Sequence, residues 1–191
     1  MDFKAMLNRA LRAAKLDVTL FQEVEKDTTL NREALMVVVF ATILAGIGSL
    51  IGGLLAPGLG AVLLIVAWTV IWGIVGYYLW AYLTWFIGTR LFQGTAEPGE
   101  LLRTLGYASA PQALGFFSFI PCAGAIVALL ASIWALVAGV IAVREALNVD
   151  TGKAVITVVI GWVVVFVIGM VVAGILGAGA IGLGALTGSL Q

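Results

Sequence analysis

The chain has 191 residues, 62% hydrophobic and only 10% charged, with ten Lys and Arg against ten Asp and Glu and a mean hydropathy of +1.15. Soluble domains carry about 25% charged residues, so a soluble fold is excluded. Histidine is absent and Cys122 is the single cysteine, which removes imidazole chemistry, an intramolecular disulfide and a thiolate cage. The sequence therefore offers no catalytic, cofactor-binding or metal-ligating set, and no nucleic-acid partner is expected.

Residues 3–15 place Phe3, Met6, Leu7, Ala10, Leu11 and Ala14 on one helical face, with Lys4, Asn8, Arg12 and Lys15 opposite and Arg9 on the flank. A basic amphipathic helix of this kind suits the headgroup layer, where each cation near an anionic surface contributes about 1 kcal/mol. Lys4, Arg9, Arg12 and Lys15 are thus the candidate lipid-surface residues, and anionic headgroups the expected partner. The competing reading packs this helix on the protein's own loops. It does not read as a secretory signal, because the first apolar run starts only near Ala34 and exceeds the ~7–15 residues of a signal core. Residues 17–33 read as a short surface helix and a turn, with Thr19 and Gln22 fitting a capping box.

The first predicted membrane helix covers 34–56, with Ala41, Ala45, Ser49 and Gly53 on one row and Gly48, Gly52 and Ala56 on another. Such rows let helices approach closely in lipid, where packing replaces the hydrophobic drive. Pro57, Gly58 and Gly60 predict a tight turn. The second span, 61–88, carries Trp68 and Trp72 mid-way, and Tyr77, Tyr78, Trp80, Tyr82 and Trp85 crowd its second half as an interfacial aromatic belt ahead of Arg90. The polar loop 89–102 holds Glu97 and Glu100, whose placement fits helix-dipole compensation better than catalysis.

Next comes a hairpin of two apolar arms, 105–120 and 126–143, hinged at Pro121, Cys122, Ala123 and Gly124. The first arm is at the short limit for a span. Pro111 kinks it by freeing a carbonyl one turn back, and Gln112, its most polar group, must face other helices because an unpaired amide in hydrocarbon costs several kcal/mol. A last span at 154–176 and a Gly/Ala-rich tail close the chain.

The run LLRTLGYASAP, the IPCAGAI turn, and SIWALVAGVIAVREAL followed by TGKAVITVVI resemble the YIP family of five-span membrane proteins over roughly 30–175. Gly106 and Tyr107 resemble its glycine-tyrosine signature, Pro111 and Pro121 its spaced prolines, and Arg144, Glu145, Gly152, Lys153 and Ala154 its charged loop before the last span. The resemblance implies a membrane organiser or adaptor, as in members that act in vesicle traffic and membrane shaping, with protein partners or self-association. It also implies a short, prokaryotic-type member. The acidic Asp-Leu-Tyr-Gly-Pro segment of trafficking members is missing here, so GTPase binding is not implied. The alternative is a small-molecule or lipid transporter or channel, for which Gln112, Pro111 and the tyrosines of the second span are the candidates.

The expected fold class is therefore an all-α polytopic bundle: a cytoplasmic amphipathic region at 1–33, a five-helix transmembrane domain at 34–186 and a short tail at 187–191. Every cation falls in the N-terminal region (Lys4, Arg9, Arg12, Lys15, Lys26, Arg32), the second loop (Arg90, Arg103) or the fourth (Arg144, Lys153). With five spans these share one face, so the positive-inside rule places the N-terminus in the cytoplasm and Gln191 outside. In a prokaryotic cell the host is the cytoplasmic membrane.

Overall fold

The structure, a computed structural model, describes residues 2–54 and 59–188. The helices are α1 (Phe3–Ala14), α2 (Val18–Lys26), α3 (Asn31–Leu54), α4 (Leu59–Phe92), α5 (Pro98–Ala108), α6 (Ala123–Leu147) and α7 (Thr151–Gly188). Two 3₁₀ segments, Thr28–Leu30 and Ala110–Phe119, lie between them, and no strand occurs among the described residues. Among the described residues, four helical stretches are long and apolar enough to cross a membrane: Thr28–Gly52, Val66–Phe92, Ala123–Leu147 and Thr151–Ile175. Of the turn expected at Pro57, Gly58 and Gly60, the first two residues lie outside the described set and Gly60 falls within α4. Of the tail expected at 187–191, Thr187 and Gly188 fall within α7 and the other three residues lie outside the described set.

Glycine contacts set the direction of each element. α3 and α4 run antiparallel, with Gly46 against Val66 and Val70 and Gly73 against Thr42; α7 runs antiparallel to α4, with Gly161 against Trp80 and Gly169 against Trp72. α6 runs parallel to α4, since Gly139 meets Trp80 and Gly88 meets Leu147. Helix α4 thus ends, and α6 begins, at opposite ends of the bundle. The chain between them must travel its length.

That connection corrects one expectation, because residues 105–120 are not a single α-helix. α5 stops at Ala108, and Ala110–Phe119 winds as a 3₁₀ helix, far beyond the usual run of three to four residues. It lies along α3 in parallel: Gly106 meets Ala34, Gly115 meets Ala45, Gly48 meets the Gly115 and Phe116 carbonyls, and Gly52 meets Phe119. Along α3, Ala34 to Gly52 is about 27 Å at about 1.5 Å per residue. An α-helix from Gly106 to Phe119 would cover only about 20 Å, whereas the 3₁₀ rise of about 2.0 Å per residue brings this shorter stretch to nearly the same length. Pro111, with no N–H to give, sits in the first turn of the 3₁₀ helix, and the Ser109 hydroxyl donates to the Gly106 carbonyl at 2.6 Å.

α3, the 3₁₀ segment, α6, α7 and α4 pack as neighbours in that order and close into a ring. The aromatic belt expected on α4 divides. Tyr78 and Tyr82 face outward, whereas Tyr77 and Trp80 are buried, Tyr77 donating to the Leu102 carbonyl (2.6 Å) and Trp80 to that of Val158 (3.4 Å). Trp85 also turns inward, to the Ala96 carbonyl at 3.0 Å. Helical period puts aromatics all round α4, and only those on the outward face can serve a belt.

The hairpin turns at Pro121, Cys122 and Ala123. The Ala123 N–H donates to the Pro121 carbonyl at 2.7 Å across Cys122, held at φ 64° and ψ −46°. This is a γ-turn with positive φ, a strained conformation for any residue with a Cβ. Cys122→Gly is therefore expected to raise stability by about 1 kcal/mol, read as a higher thermal unfolding midpoint in detergent. An unchanged or lower midpoint refutes the strain.

Candidate functional site

The charged residues gather at one end of the bundle, where α1, α2 and α5 cap the start of α3, the end of α4 and the α6–α7 turn. Glu33, 5% exposed, is the hub. Arg9 donates to both of its oxygens, Nε to Oε1 at 2.9 Å and Nη2 to Oε2 at 3.3 Å, and the fully buried Tyr107 donates its hydroxyl to Oε1 at 2.5 Å. A buried carboxylate is tolerable only when paired and hydrogen-bonded. The resemblance residues Gly106 and Tyr107 act together here: a Cβ on Gly106 would sit 2.9 Å from that of Ala34, so glycine lets α5 approach α3 closely enough for Tyr107 to reach Glu33.

Arg103 is a second hub that the sequence presents only as one more loop cation. It is 4% exposed, and its guanidinium donates to the Val24 carbonyl and the Asn31 side chain, each at 3.0 Å, and to the Glu25 carbonyl. The last carbonyls of a helix have no internal partner. Arg103 supplies one for α2, and its five fixed donors suit several acceptors at once.

Of the four candidate lipid-surface cations, two are committed inside the protein. Arg9 holds Glu33, and Arg12 bonds Asp17 (2.7 Å), Glu23 (3.0 Å) and the Thr19 hydroxyl (3.1 Å). Those bonds raise the Arg12 pKa further and lower that of Glu23; Asp17 is pulled down to about 2, first by the Thr19 hydroxyl and then by Arg12. Lys4 and Lys15 are exposed and, among the described residues, make no ion pair. The expected capping box also shifts: Asp17, not Thr19, is the N-cap of α2, accepting from the Thr19 N–H at 3.0 Å, and Gln22 donates to Glu145 at 2.7 Å instead.

The apolar face of α1 splits into two rows. Met6 and Ala13 are buried against the bundle, while Phe3, Leu7 and Leu11, one turn apart, are 60%, 49% and 54% exposed. The exposed row continues onto α3 through an edge-to-face contact of Phe3 with Phe40, 5.7 Å between centroids. The far end of α1 is tied to α6, where Trp134 donates to the Ala14 carbonyl at 2.8 Å.

At the α6–α7 turn, Arg144 pairs with Glu145 at 2.6 Å, Lys153 with Asp150 at 3.6 Å, and Asn148 takes the left-handed cap position, φ 53°. The Lys153 backbone N–H holds the Asp150 carboxyl below its usual range. The Thr95 N–H donates to the Leu147 carbonyl at 3.2 Å, joining this turn to the 89–102 loop. These residues brace the cap; they do not converge with Gln112.

Gln112 stands apart, in a cavity of about 170 Å³ at the centre of the five-membered ring. Pro111 is buried one residue before it, and Pro121 belongs to the hairpin turn at the uncharged end.

Removing the Tyr107 hydroxyl leaves a buried Glu33 oxygen one donor short. Tyr107→Phe is expected to cost about 1–2 kcal/mol and to speed hydrogen exchange of α1 amides, since α1 is held through Arg9 and Glu33. Unchanged exchange and stability would remove the hydroxyl from this role.

Compared with protein-family models, residues 18–173 match the Yip1 domain. The chain matches no curated protein and no solved structure.

Proposed function

The chain belongs to the Yip1 domain family, and on that premise we propose that it is a non-enzymatic membrane organiser or adaptor that crosses the bilayer five times and works from its charged end on the adjoining leaflet. The observation carrying this reading is the exposed Phe3, Leu7 and Leu11 row of α1, set beside the lipid-length helix α3 and flanked by Lys4 and Lys15, which make no ion pair among the described residues. An in-plane helix buries such a row at the headgroup–acyl boundary and keeps its cations in the headgroups. Part of the α1 basic charge is already spent within the protein, so apolar insertion contributes more than electrostatics.

In this reading the fifth crossing is α5 with its 3₁₀ extension. It is too short and too irregular to count as a membrane-length α-helix, yet it runs beside α3 from the Ala34 level to the Gly52 level. Irregular backbone at membrane depth is tolerated where protein covers it, and α3 and α6 flank it on two sides. The ten cations at one end support, by the positive-inside rule, an orientation with that end and the N-terminus in the cytoplasm and the Cys122 turn outside.

Topology is tested in intact cells. Exposed Cys122 is expected to react with a membrane-impermeant maleimide, and Gln93→Cys in a Cys122→Ser background is expected not to. The reverse pattern inverts the orientation, and labelling of both positions breaks the five-crossing path.

The leaflet role is tested by reconstitution into phosphatidylcholine–phosphatidylglycerol vesicles carrying a self-quenching labelled phosphatidylglycerol. Wild-type protein is expected to deepen quenching, and the triple variant Phe3→Ser, Leu7→Ser, Leu11→Ser to lose most of that effect. Lys4→Gln with Lys15→Gln should weaken it less, each lysine contributing about 1 kcal/mol. Equal quenching by wild type and triple variant ends the α1 reading. A second reading, small-molecule or lipid transport, draws on one feature, the central cavity around Gln112.

A further inference from the structure

We propose that the central cavity is a binding site for an uncharged, ring-sized molecule that carries a hydrogen-bond acceptor such as a carbonyl. The assignment goes beyond the surface role of α1 and does not depend on it.

Position comes first. Every member of the ring contributes to the lining, including Val38 of α3, Trp72 of α4, Gln112 of the 3₁₀ segment, Ser132 of α6 and Trp162 of α7. Gln112 stands between the Gly106–Ala34 and Gly115–Ala45 contacts, roughly 10 Å along the bundle from Ala34. Towards the charged end the space stops at Trp80, whose ring packs on Gly139 and, with Leu105, fills the centre. Tyr77 and Trp80 are buried there, whereas Gln112 and Ser132 are exposed. The site is closed at the charged end and accessible above its floor.

Chemistry then narrows the ligand. Among the described residues, no carboxylate or amine lines the cavity, and an isolated ion would lose its hydration there without a partner, so the occupant is neutral. The polar side chains divide by what they have left to offer. The hydroxyls of Tyr77, Ser109 and Ser132 already donate to backbone carbonyls of Leu102, Gly106 and Ala128, and the Trp80 indole to that of Val158. The Gln112 amide and the Trp72 and Trp162 indoles have no partner among the described residues, so the free groups are rich in donors. An unpaired amide at membrane depth is costly, and a ligand acceptor relieves it. Indole walls favour a flat ring, by offset or edge-to-face contact. A cavity of about 170 Å³ also has the right size, since an apolar cavity of about 150 Å³ holds benzene.

A matched pair of probes separates the acceptor from the ring: acetophenone, and ethylbenzene, which has the same shape without the carbonyl. Each is applied in radiolabelled form to the full chain in phosphatidylcholine nanodiscs, by equilibrium dialysis with empty discs subtracted. Acetophenone is expected to bind saturably at one site and more tightly than ethylbenzene. Gln112→Leu should weaken acetophenone about ten-fold, the loss of one hydrogen bond, and leave ethylbenzene unchanged. Ser132→Phe, which fills the cavity, should abolish saturable binding of both. Binding that never saturates above empty discs overturns the proposal, as does undiminished acetophenone affinity in Gln112→Leu. If Gln112→Leu fails to reconstitute as a monodisperse protein, Ser132→Phe decides alone, and saturable binding retained in it overturns the site.

Discussion

The rest of the structure depends on the backbone contact between α3 and the segment that follows α5. At Gly48 the α3 backbone lies directly against the Gly115 and Phe116 carbonyls, where any side chain would collide with peptide groups, and at Gly106 the approach repeats about 21 Å lower against Ala34. In lipid there is no hydrophobic drive between helices, so association rests on van der Waals contact of this closeness. The same contact fixes the register of the 3₁₀ segment. Register in turn aims Tyr107 at Glu33, sets Gln112 towards the ring centre and brings the chain to Cys122 at the end where α6 must start.

Electrostatics at the charged end is largely internal. Glu33 and Arg103 are each nearly buried and each holds groups from two other parts of the chain: Glu33 joins α1 to α5, and Arg103 joins α5 to the end of α2 and the start of α3. Exposed ion pairs such as Lys153 with Asp150 are worth little by themselves. Buried, multiply bonded charges are different, because losing one partner strands the other. The consequence for the membrane surface is that α1 is an anchored helix whose outward face is mostly apolar, with its C-terminal end tied through Arg12 to Asp17 and α2 and through Ala14 to Trp134.

Class and polarity were legible from the residues alone. Long charge-free runs separated by charged loops mark an integral membrane helical protein, and the alternation of charged and uncharged turns marks which loops share an end. The family was legible in the order of spans, with Gly106 and Tyr107 among the residues that carry it. The candidate site was legible only in part. Gln112 stood out as the one amide in an apolar arm, yet nothing in its neighbours could say that five separate segments would close around it. Glu33 and Arg103 were hidden because each reads as an ordinary loop charge.

The physical reason for this division is range. Hydropathy, charge placement and helical period are sums over adjacent residues, so the sequence by itself determined the all-helical membrane class, the apolar runs and the clustering of all charge in three stretches. Whether Tyr77 and Trp80 face lipid or protein, whether residues 110–119 wind as α or 3₁₀, and which of Lys4, Arg9, Arg12 and Lys15 stay free depend on partners such as Leu102, Val158, Gly48, Glu33 and Glu23, most of them remote in the chain. Those distances exist only after packing, and so the tertiary structure alone decided them.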